Sequence, residues 1–190
     1  MNGKPTMAIM EKPLLIVVTG RPASGKTSLA HLLASEIKCP LISRDELKEG
    51  YVNTMRLTHH QLNEEANGDI YKTFFEVINL LISKRISIVI EAAFQHQLWA
   101  PQLSNFLNKA EIRIIICKIP LEMAKERFYK RILEQPERKK YHDDTTIDLT
   151  VLLTEDYEMI NMPLPTLEVD TTDKYNPDLK RIVNFIQSGD

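Results

Sequence analysis

The clearest chemical pattern in the chain is a run of eight residues, Gly20, Arg21, Pro22, Ala23, Ser24, Gly25, Lys26 and Thr27. It fits the pattern Gly-x-x-x-x-Gly-Lys-Ser/Thr, whose glycines let the backbone bend so tightly that successive N–H groups face one anion. In such a loop Lys26 reaches the outer phosphates of a nucleoside triphosphate, and the Thr27 hydroxyl binds its magnesium ion. The stretch from Gly20 to Ser28 is therefore predicted to bind ATP with Mg²⁺.

The residues on both sides of this loop have the periodicities that a phosphate-binding loop requires. The apolar run 14–18 precedes it and is typical of a buried strand. After the loop, a predicted helix over 26–38 adds its positive end to the site, and its apolar stripe consists of Leu29, Leu32, Leu33 and Ile37. The alternative, a glycine-containing surface turn, requires neither flank, so the sequence favours the phosphate-binding interpretation.

Two carboxylates follow predicted strands and are candidates for proton transfer or metal binding. Asp45 comes directly after the run 40–43, where a general base would accept the proton of an acceptor hydroxyl during phosphoryl transfer. The alternative is that Asp45 caps the short helix that follows. Glu91 ends the β-branched run 86–91; it could hold the metal through water or contact the substrate, and both roles stay open.

Three arginines lie on or after a predicted helix over 121–134. Arg127 and Arg131 are four residues apart, hence on one helix face, and Arg138 follows in a charged loop. A lid over 127–145 would bring these cations, together with Lys26, to the charge that the triphosphate develops in the transition state. Lys26, Arg127 and Arg131 are therefore catalytic candidates. The alternative is that the charge run forms a solvated face.

Strands and helices alternate along the chain, which predicts an α/β fold: a three-layer sandwich around a five-stranded parallel sheet, as in P-loop nucleoside triphosphate hydrolases. Right-handed crossovers then bring all carboxyl strand ends to one edge, where ligands bind. Segment 49–61 shows neither period and is expected to be mobile or only partly helical. Predicted strands span 14–18, 40–43, 86–91, 112–117 and 166–170; predicted helices span 26–38, 69–84, 98–109, 121–134, 146–160 and a last one opened by Asn176 and Pro177.

Composition limits the remaining functions. The chain has 190 residues, 43% of them hydrophobic, and no linker-like seam, so we predict a flexible tail over 1–12 and one domain over 13–190. A net charge of −2 gives no general attraction to nucleic acid or to anionic membranes. Cys39 and Cys117 lack metal-binding spacing, the histidines offer no ligand geometry, and no apolar run approaches the roughly 20 residues of a membrane span. A cytoplasmic protein without a structural metal or a membrane partner is expected.

Taken in order, residues 20–27, the segment 45–48, Glu91 and the region 127–138 resemble the small P-loop kinases related to nucleoside monophosphate kinases. Within that group the chain is most similar to the branch that contains chloramphenicol phosphotransferase, zeta toxins and the kinase domain of polynucleotide kinase. The resemblance extends over nearly the whole chain. It implies that Asp45 is the base, that Lys48 contacts the acceptor, and that Arg127 and Arg131 are lid residues.

These observations lead us to expect an ATP- and Mg²⁺-dependent kinase that phosphorylates a hydroxyl of a small-molecule or nucleotide-like acceptor. Lys48, Glu91 and Arg138 are the candidate substrate contacts, and loop 171–174 suits the adenine side because it lacks the order of a guanine-reading motif. One alternative is a 5′-hydroxyl polynucleotide kinase, for which a nucleic-acid partner would need a local basic channel that the net charge does not favour. The other is a P-loop ATPase or nucleotide-binding switch that acts through a partner.

Overall fold

Five strands form one all-parallel sheet in the computed structural model, which describes residues 12–142 and 158–189. The strands are β1 (Leu14–Gly20), β2 (Leu41–Ser43), β3 (Ile88–Glu91), β4 (Glu111–Lys118) and β5 (Thr166–Asp170). Their order across the sheet is β2-β3-β1-β4-β5. This arrangement confirms the predicted α/β class and its five-stranded parallel sheet.

Helices cover both faces of the sheet. They are α1 (Lys26–Ile37), α2 (Arg44–Met55), α3 (Glu64–Ser83), α4 (His96–Ser104), α5 (Leu121–Glu134) and α6 (Leu179–Ser188), with 3₁₀ turns at His59–Gln61 and Pro136–Lys140. Across residues 12–142 and 158–189, no helix has both the length and the apolar character needed to cross a bilayer. The expected tail, except Lys12, and most of the expected helix over 146–160 lie outside the described residues.

Strand β1 is the centre of the sheet because its side chains are shielded from water on both faces. Residues 15–18 are all fully buried. Leu15 and Val17 join the core cluster beneath α3 and α4, whereas Ile16 and Val18 join the cluster beneath α1 and α6. A strand that is buried on both faces needs a continuous apolar run rather than an alternating one, and this is what the sequence provides.

Helix α2 was anticipated only as the short helix that Asp45 would cap. Segment 49–61 was expected to be mobile or only partly helical; it is helical up to Met55 and again in the 3₁₀ turn at His59–Gln61, so the second alternative agrees with the structure. Ser43 begins the helix as its N-cap, and two acidic residues in the first turn complement the helix dipole. Only Lys48 and Val52 are buried, so the helix has no hydrophobic stripe from which its period could be recognised.

Other helix boundaries also differ from their predicted positions. Helix α3 begins at Glu64, five residues earlier than predicted, because the Asn63 side chain caps its first turn. Helix α4 spans 96–104 instead of 98–109. Helix α6 is capped by the side chain of Asp178, so the predicted cap at Asn176 is wrong. The predicted bounds of α5 and β5 agree with the structure.

The carboxyl ends of the strands meet at one edge, as parallel pairing requires. Pairing with β3 places both Val18 of β1 and Ser43 of β2 beside Glu91. On the other side of β1, Gly20 lies beside Cys117 of β4. The loop that follows Gly20 therefore leaves the middle of the sheet, with Glu91 and Ser43 on one side of it.

We expect Gly20→Ala to destabilise the protein and to distort this loop. Gly20 has a φ of +154°, and a Cβ atom there would lie 2.6 Å from Ser24 Oγ and 2.7 Å from the Cys117 carbonyl oxygen. The free energy of unfolding should fall by about 1–3 kcal/mol, as measured by urea unfolding followed by circular dichroism.

Gly68→Ala is the matched control for this substitution. Gly68 lies in α3, a Cβ atom there would meet nothing within 4 Å, and alanine favours a helix by up to about 1 kcal/mol over glycine. Its free energy of unfolding should therefore stay the same or rise. A Gly20→Ala protein as stable as wild type would contradict the steric account of the turn.

Candidate active site

The loop between β1 and α1 presents backbone N–H groups to an anion. Ala23 and Gly25 both have left-handed conformations, with φ values of 60° and 80°. Gly25 is the N-cap of α1, which has neither a side-chain cap nor an acidic residue in its first turn. Helices α2, α3 and α6 each begin with a side-chain cap, whereas α4 and α5, like α1, do not. The N–H groups at the start of α1 and the positive end of its dipole are thus left for an anionic ligand.

Two further polar atoms of the loop are buried without a partner. Ser24 Oγ and Arg21 Nη1 have no hydrogen-bond partner among the described residues. Leaving a buried donor unpaired costs about 1–3 kcal/mol, and phosphate oxygens would accept hydrogen bonds from both groups. The loop residues therefore fit a triphosphate.

Lys26 lies between this loop and a carboxylate at the end of β3. Its Nζ atom is 3.6 Å from Glu91 Oε1, and both side chains are buried. The second oxygen, Glu91 Oε2, accepts a 2.6 Å hydrogen bond from Ser43 Oγ. Burial raises the pKa of Glu91 and outweighs the lowering effects of Lys26 and Ser43. Glu91 is only 1% exposed, so it lies beneath the site and not in the wall of a cavity.

A cavity of about 370 Å³ opens beside Lys26 and brings together residues that are far apart in the sequence. The phosphate-binding loop, the start of α2, helix α5 and the segment after it all contribute to its walls. The sequence-predicted site residues among its lining are Pro22, Lys26, Thr27, Asp45, Lys48, Arg131 and Arg138. Phosphate-binding groups, a carboxylate and several cations therefore share one cavity.

Asp45 stands in the first turn of α2, and its side chain is 46% exposed at this cavity. Burial by the cavity walls acts to raise its pKa, but nearby positive charges outweigh this effect and hold the pKa below its usual range; they are Lys26, His142, Arg44 and Lys48. Asp45 is thus ionised at neutral pH and can accept a proton. Ser43 is the N-cap of α2, so the alternative role of Asp45 as that cap is wrong.

The two arginines of α5 do not reach the same place. Arg131 lines the cavity with Lys26, as does Arg138 from the following 3₁₀ turn. Arg127 instead donates hydrogen bonds through Nη2 to the carbonyl oxygens of Thr171, at 3.0 Å, and Thr172. Residues four apart share a helix face but lie about 6 Å apart along its axis, which is enough to separate their partners. The arrangement differs from the expected lid, in which both arginines face the triphosphate.

A second cavity, of about 360 Å³, lies on the side of the loop where Arg127 is found. Its lining includes Gly25 and Ser28 at the start of α1, and Asp173, Lys174 and Tyr175 after β5. Thr171 fastens this region to the phosphate-binding loop, because its Oγ donates a 2.6 Å hydrogen bond to the Ser24 carbonyl oxygen. Loop 171–174 thus borders the phosphate-binding loop on the side away from Asp45, as an adenine-side loop would.

The segment that follows α5 is fastened to α2 by side chains that sequence reasoning missed. His142 Nε2 lies 2.8 Å from Glu49 Oε1, and Asn53 Oδ1 accepts hydrogen bonds from Lys140 Nζ at 2.7 Å and Tyr141 Oη at 3.0 Å. Asp45, Glu49 and Asn53 recur every four residues and form one polar stripe on α2. A search for polar residues at helical spacing could have found this stripe, although not its partners.

Ser43 and Arg44 are two further site residues that were not among the predicted ones. Both line the cavity; Ser43 also contacts Glu91, and Arg44 lies 3.5 Å from Asp45. Their position at the carboxyl end of β2, at the binding edge of a parallel sheet, is the signal that could have identified them.

The chain is similar in sequence to a known protein family and to a cytidylate kinase, and in structure to two solved kinases. The family model described as AAA domain matches residues 15–154. A cytidylate kinase of Saccharolobus islandicus (strain Y.G.57.14 / Yellowstone #1) is 30% identical over 170 residues, which cover 83% of this chain and 84% of that protein. A protein of Chloroflexus aurantiacus j-10-fl described as a kinase is 25% identical, with a TM-score of 0.81 and coverage of 94% and 99% of the two chains. A sugar kinase of Janibacter sp. HTCC2649 shares the fold, with 16% identity, a TM-score of 0.63 and coverage of 93% and 95%.

The buried carboxylate of Glu91 generates a prediction for the ligand-free protein. Because its pKa is raised in the folded state, its ionisation costs stability as the pH rises through that pKa, and the cost is absent below the unfolded value of about 4.3. Glu91→Gln should therefore unfold at higher urea concentration than wild type at pH 8, and the difference should shrink towards pH 4. Glu76→Gln, at a side chain that is 62% exposed, is the control and should change stability little at either pH.

Proposed function

We propose that this protein transfers the γ-phosphoryl group of ATP to a hydroxyl of a small, anionic, nucleotide-like acceptor. The chain belongs to the AAA domain family and is an ATP-dependent P-loop kinase. The observation that carries this proposal is the ionised, accessible carboxylate of Asp45 in the cavity that also holds Lys26.

The donor is held by the loop and the start of α1. In this proposal the N–H groups of the loop bind the phosphates, Lys26 neutralises the outer ones, and the Thr27 hydroxyl is an oxygen ligand for Mg²⁺. When bound, Mg²⁺ neutralises charge on the transferring phosphoryl group. The nucleoside would occupy the second cavity, between Arg127 and Tyr175.

Asp45 supports a hydroxyl acceptor over a phosphate acceptor. An alcohol must lose its proton as the new phosphorus–oxygen bond forms, and an ionised carboxylate beside it can accept that proton. A phosphate acceptor is already ionised at neutral pH and needs no base. A second negative charge next to it would instead repel it. The carboxylate is therefore useful to the first kind of acceptor and unfavourable to the second.

The charge of the cavity supports an acceptor that carries its own anionic group. Among the described residues its walls contain three carboxylates and five Lys or Arg side chains, which are Lys26, Arg44, Lys48, Arg131 and Arg138. Cations beyond those needed by the triphosphate favour an acceptor with a phosphate or carboxylate away from its reacting hydroxyl. A volume of about 370 Å³ is within the usual range for a small-molecule site, which favours a compact acceptor over a polynucleotide strand.

A second candidate, phosphorylation of the phosphate group of a nucleotide, is favoured by the name of the cytidylate kinase relative. The two candidates differ in the bond that forms, because a hydroxyl gives a phosphate monoester and a phosphate gives an anhydride. Incubation with ATP and Mg²⁺ and ³¹P NMR of the products distinguishes them. The acceptors to compare are cytidine, cytidine 5′-monophosphate, a set of sugar phosphates and a 5′-hydroxyl oligonucleotide.

The Asp45→Asn variant tests the proposed base directly. It keeps the shape of the side chain, and ATP binding should persist, but phosphorylation of a hydroxyl acceptor should fall by roughly 10²–10⁴-fold because no group accepts the proton. Lys26→Ala, which removes the donor-side cation, is the control for complete loss of transfer. If anhydride formation is the main wild-type reaction and Asp45→Asn leaves it within a few-fold, the hydroxyl proposal is wrong and the nucleotide-phosphate candidate replaces it.

The separation of the two arginines predicts different kinetic effects. Arg131→Ala should lower kcat by about 10- to 100-fold with a smaller change in KM for ATP, since Arg131 lines the reaction cavity. Arg127→Ala should mainly raise KM for ATP, because Arg127 holds the loop beside the second cavity. Lys130→Ala, at a side chain of the same helix that is 73% exposed, is the control and should change neither constant. Equal losses of kcat in both arginine variants would instead support the lid in which both arginines act on the triphosphate.

A further inference from the structure

We propose that Ser43 is a positioning residue for phosphoryl transfer. Its hydroxyl contacts both the buried Glu91 carboxylate and the first turn of α2, and so fixes the position of one relative to the other. The inference rests on the proposed function only in taking Asp45, on α2, as the acceptor-side base. It goes beyond that function because Ser43 lies in the wall of the cavity, and the proposed function gives it no contact with ATP or the acceptor.

The position of Ser43 follows from strand pairing. It is the last residue of β2 and stands directly beside Glu91 in the parallel register with β3. Both residues are buried, with exposed fractions of 2% and 1%. Their side chains therefore meet in a region without access to bulk water, where a hydrogen bond to a charged group is stronger than at the protein surface.

The hydroxyl of Ser43 donates one hydrogen bond to Glu91 and accepts one from the first turn of α2. It donates its only proton to Glu91 Oε2 at 2.6 Å, and its oxygen accepts the Glu46 backbone N–H at 3.4 Å. The first bond is short and charge-assisted, whereas the second is at the long end of the range for a helix cap. The stronger contact thus orients the carboxylate, and the weaker one begins α2.

Glu91 transmits this orientation to the donor side. Its other oxygen lies 3.6 Å from Lys26 Nζ, so Glu91 joins Ser43 and Lys26, which both line the cavity, in one continuous polar chain. On the acceptor side, Asp45 follows Ser43 by two residues and lies in the turn that Ser43 caps. Loss of the hydroxyl would leave Glu91 Oε2 without its donor. Lys26, which contacts Glu91, and Asp45, in the first turn of α2, would then no longer be held relative to each other.

The test compares Ser43→Ala with the conservative variant Ser43→Thr, assayed with the best wild-type acceptor. Removal of the hydroxyl should lower kcat by about 10- to 100-fold, the range expected for misplacement of reacting groups, while KM for ATP stays within about threefold of wild type. Ser43→Thr keeps a donor and an N-cap and should retain kcat within about threefold. A Ser43→Ala protein with wild-type kcat would overturn the inference.

Asn63→Ala is the matched control for the loss of a helix cap. The Asn63 side chain caps α3 by accepting the Ala66 N–H at 2.8 Å, and this contact does not involve Glu91. Both substitutions should therefore lower the urea midpoint of unfolding, but only Ser43→Ala should lower kcat. Equal kcat losses in the two variants would show that Ser43 acts as a cap alone.

A double-mutant cycle with Glu91→Gln identifies the route of the effect. If Ser43 acts through Glu91, adding Ser43→Ala to Glu91→Gln should change kcat by less than about threefold, because the partner is already altered. Multiplicative losses would overturn the inference. If Ser43→Ala is too unstable to assay, Ser43→Cys replaces it, since a thiol of similar shape is a weak donor.

The role of Asp45 as the base, which belongs to the proposed function, is tested separately by Asp45→Asn. Loss of activity in Ser43→Ala together with unchanged activity in Asp45→Asn would reject Asp45 as the base but leave the link from Ser43 through Glu91 to Lys26 in place. Loss of activity in Asp45→Asn together with wild-type activity in Ser43→Ala would reject the positioning role of Ser43 but leave Asp45 as the base.

Discussion

The buried contact between Lys26 and Glu91 is the constraint on which the site depends. Opposite charges taken out of water lose hydration that their mutual attraction recovers only in part. The structure meets this cost with a strand that is buried along its whole length and with the Ser43 hydrogen bond to the second carboxylate oxygen. The apolar centre of the sheet thus holds a charged pair at its edge, where Lys26 is fixed beside the phosphate-binding loop before a ligand arrives.

Helix α5 and the segment after it connect the two sides of this site. At one end, Arg127 holds the loop after β5, and Thr171 of that loop is bonded to the Ser24 carbonyl oxygen. At the other end, the segment 136–142 is bonded to the polar stripe of α2. Helix α5 and the segment after it therefore connect the loop beside the second cavity with the helix that contributes Asp45 to the first.

The polar stripe of α2 also explains where sequence reasoning failed. A hydrophobic period identifies helices that bury an apolar face, and it correctly located α1, α3 and α5. Helix α2 turns Asp45, Glu49 and Asn53 towards the cavity and the segment after α5, so its informative face is polar and the apolar period is absent. The helix that contributes five described residues to the lining of the cavity beside Lys26 was for this reason the least visible in the sequence.

The sequence by itself determined the succession along the chain of the five strands and of the described helices other than α2, the phosphate-binding loop, and the edge of the sheet at which Asp45 and Glu91 would lie. These features follow from local periodicity, from glycine at Gly20 and Gly25, and from the rule that parallel strands end at one edge. Only the tertiary structure decided which side chains meet. Ser43 and Glu91 are 48 residues apart and Glu49 and His142 are 93 apart, and the separate partners of Arg127 and Arg131 depend on one turn of helix. Contacts of this kind are set by how elements pack, which no local pattern encodes.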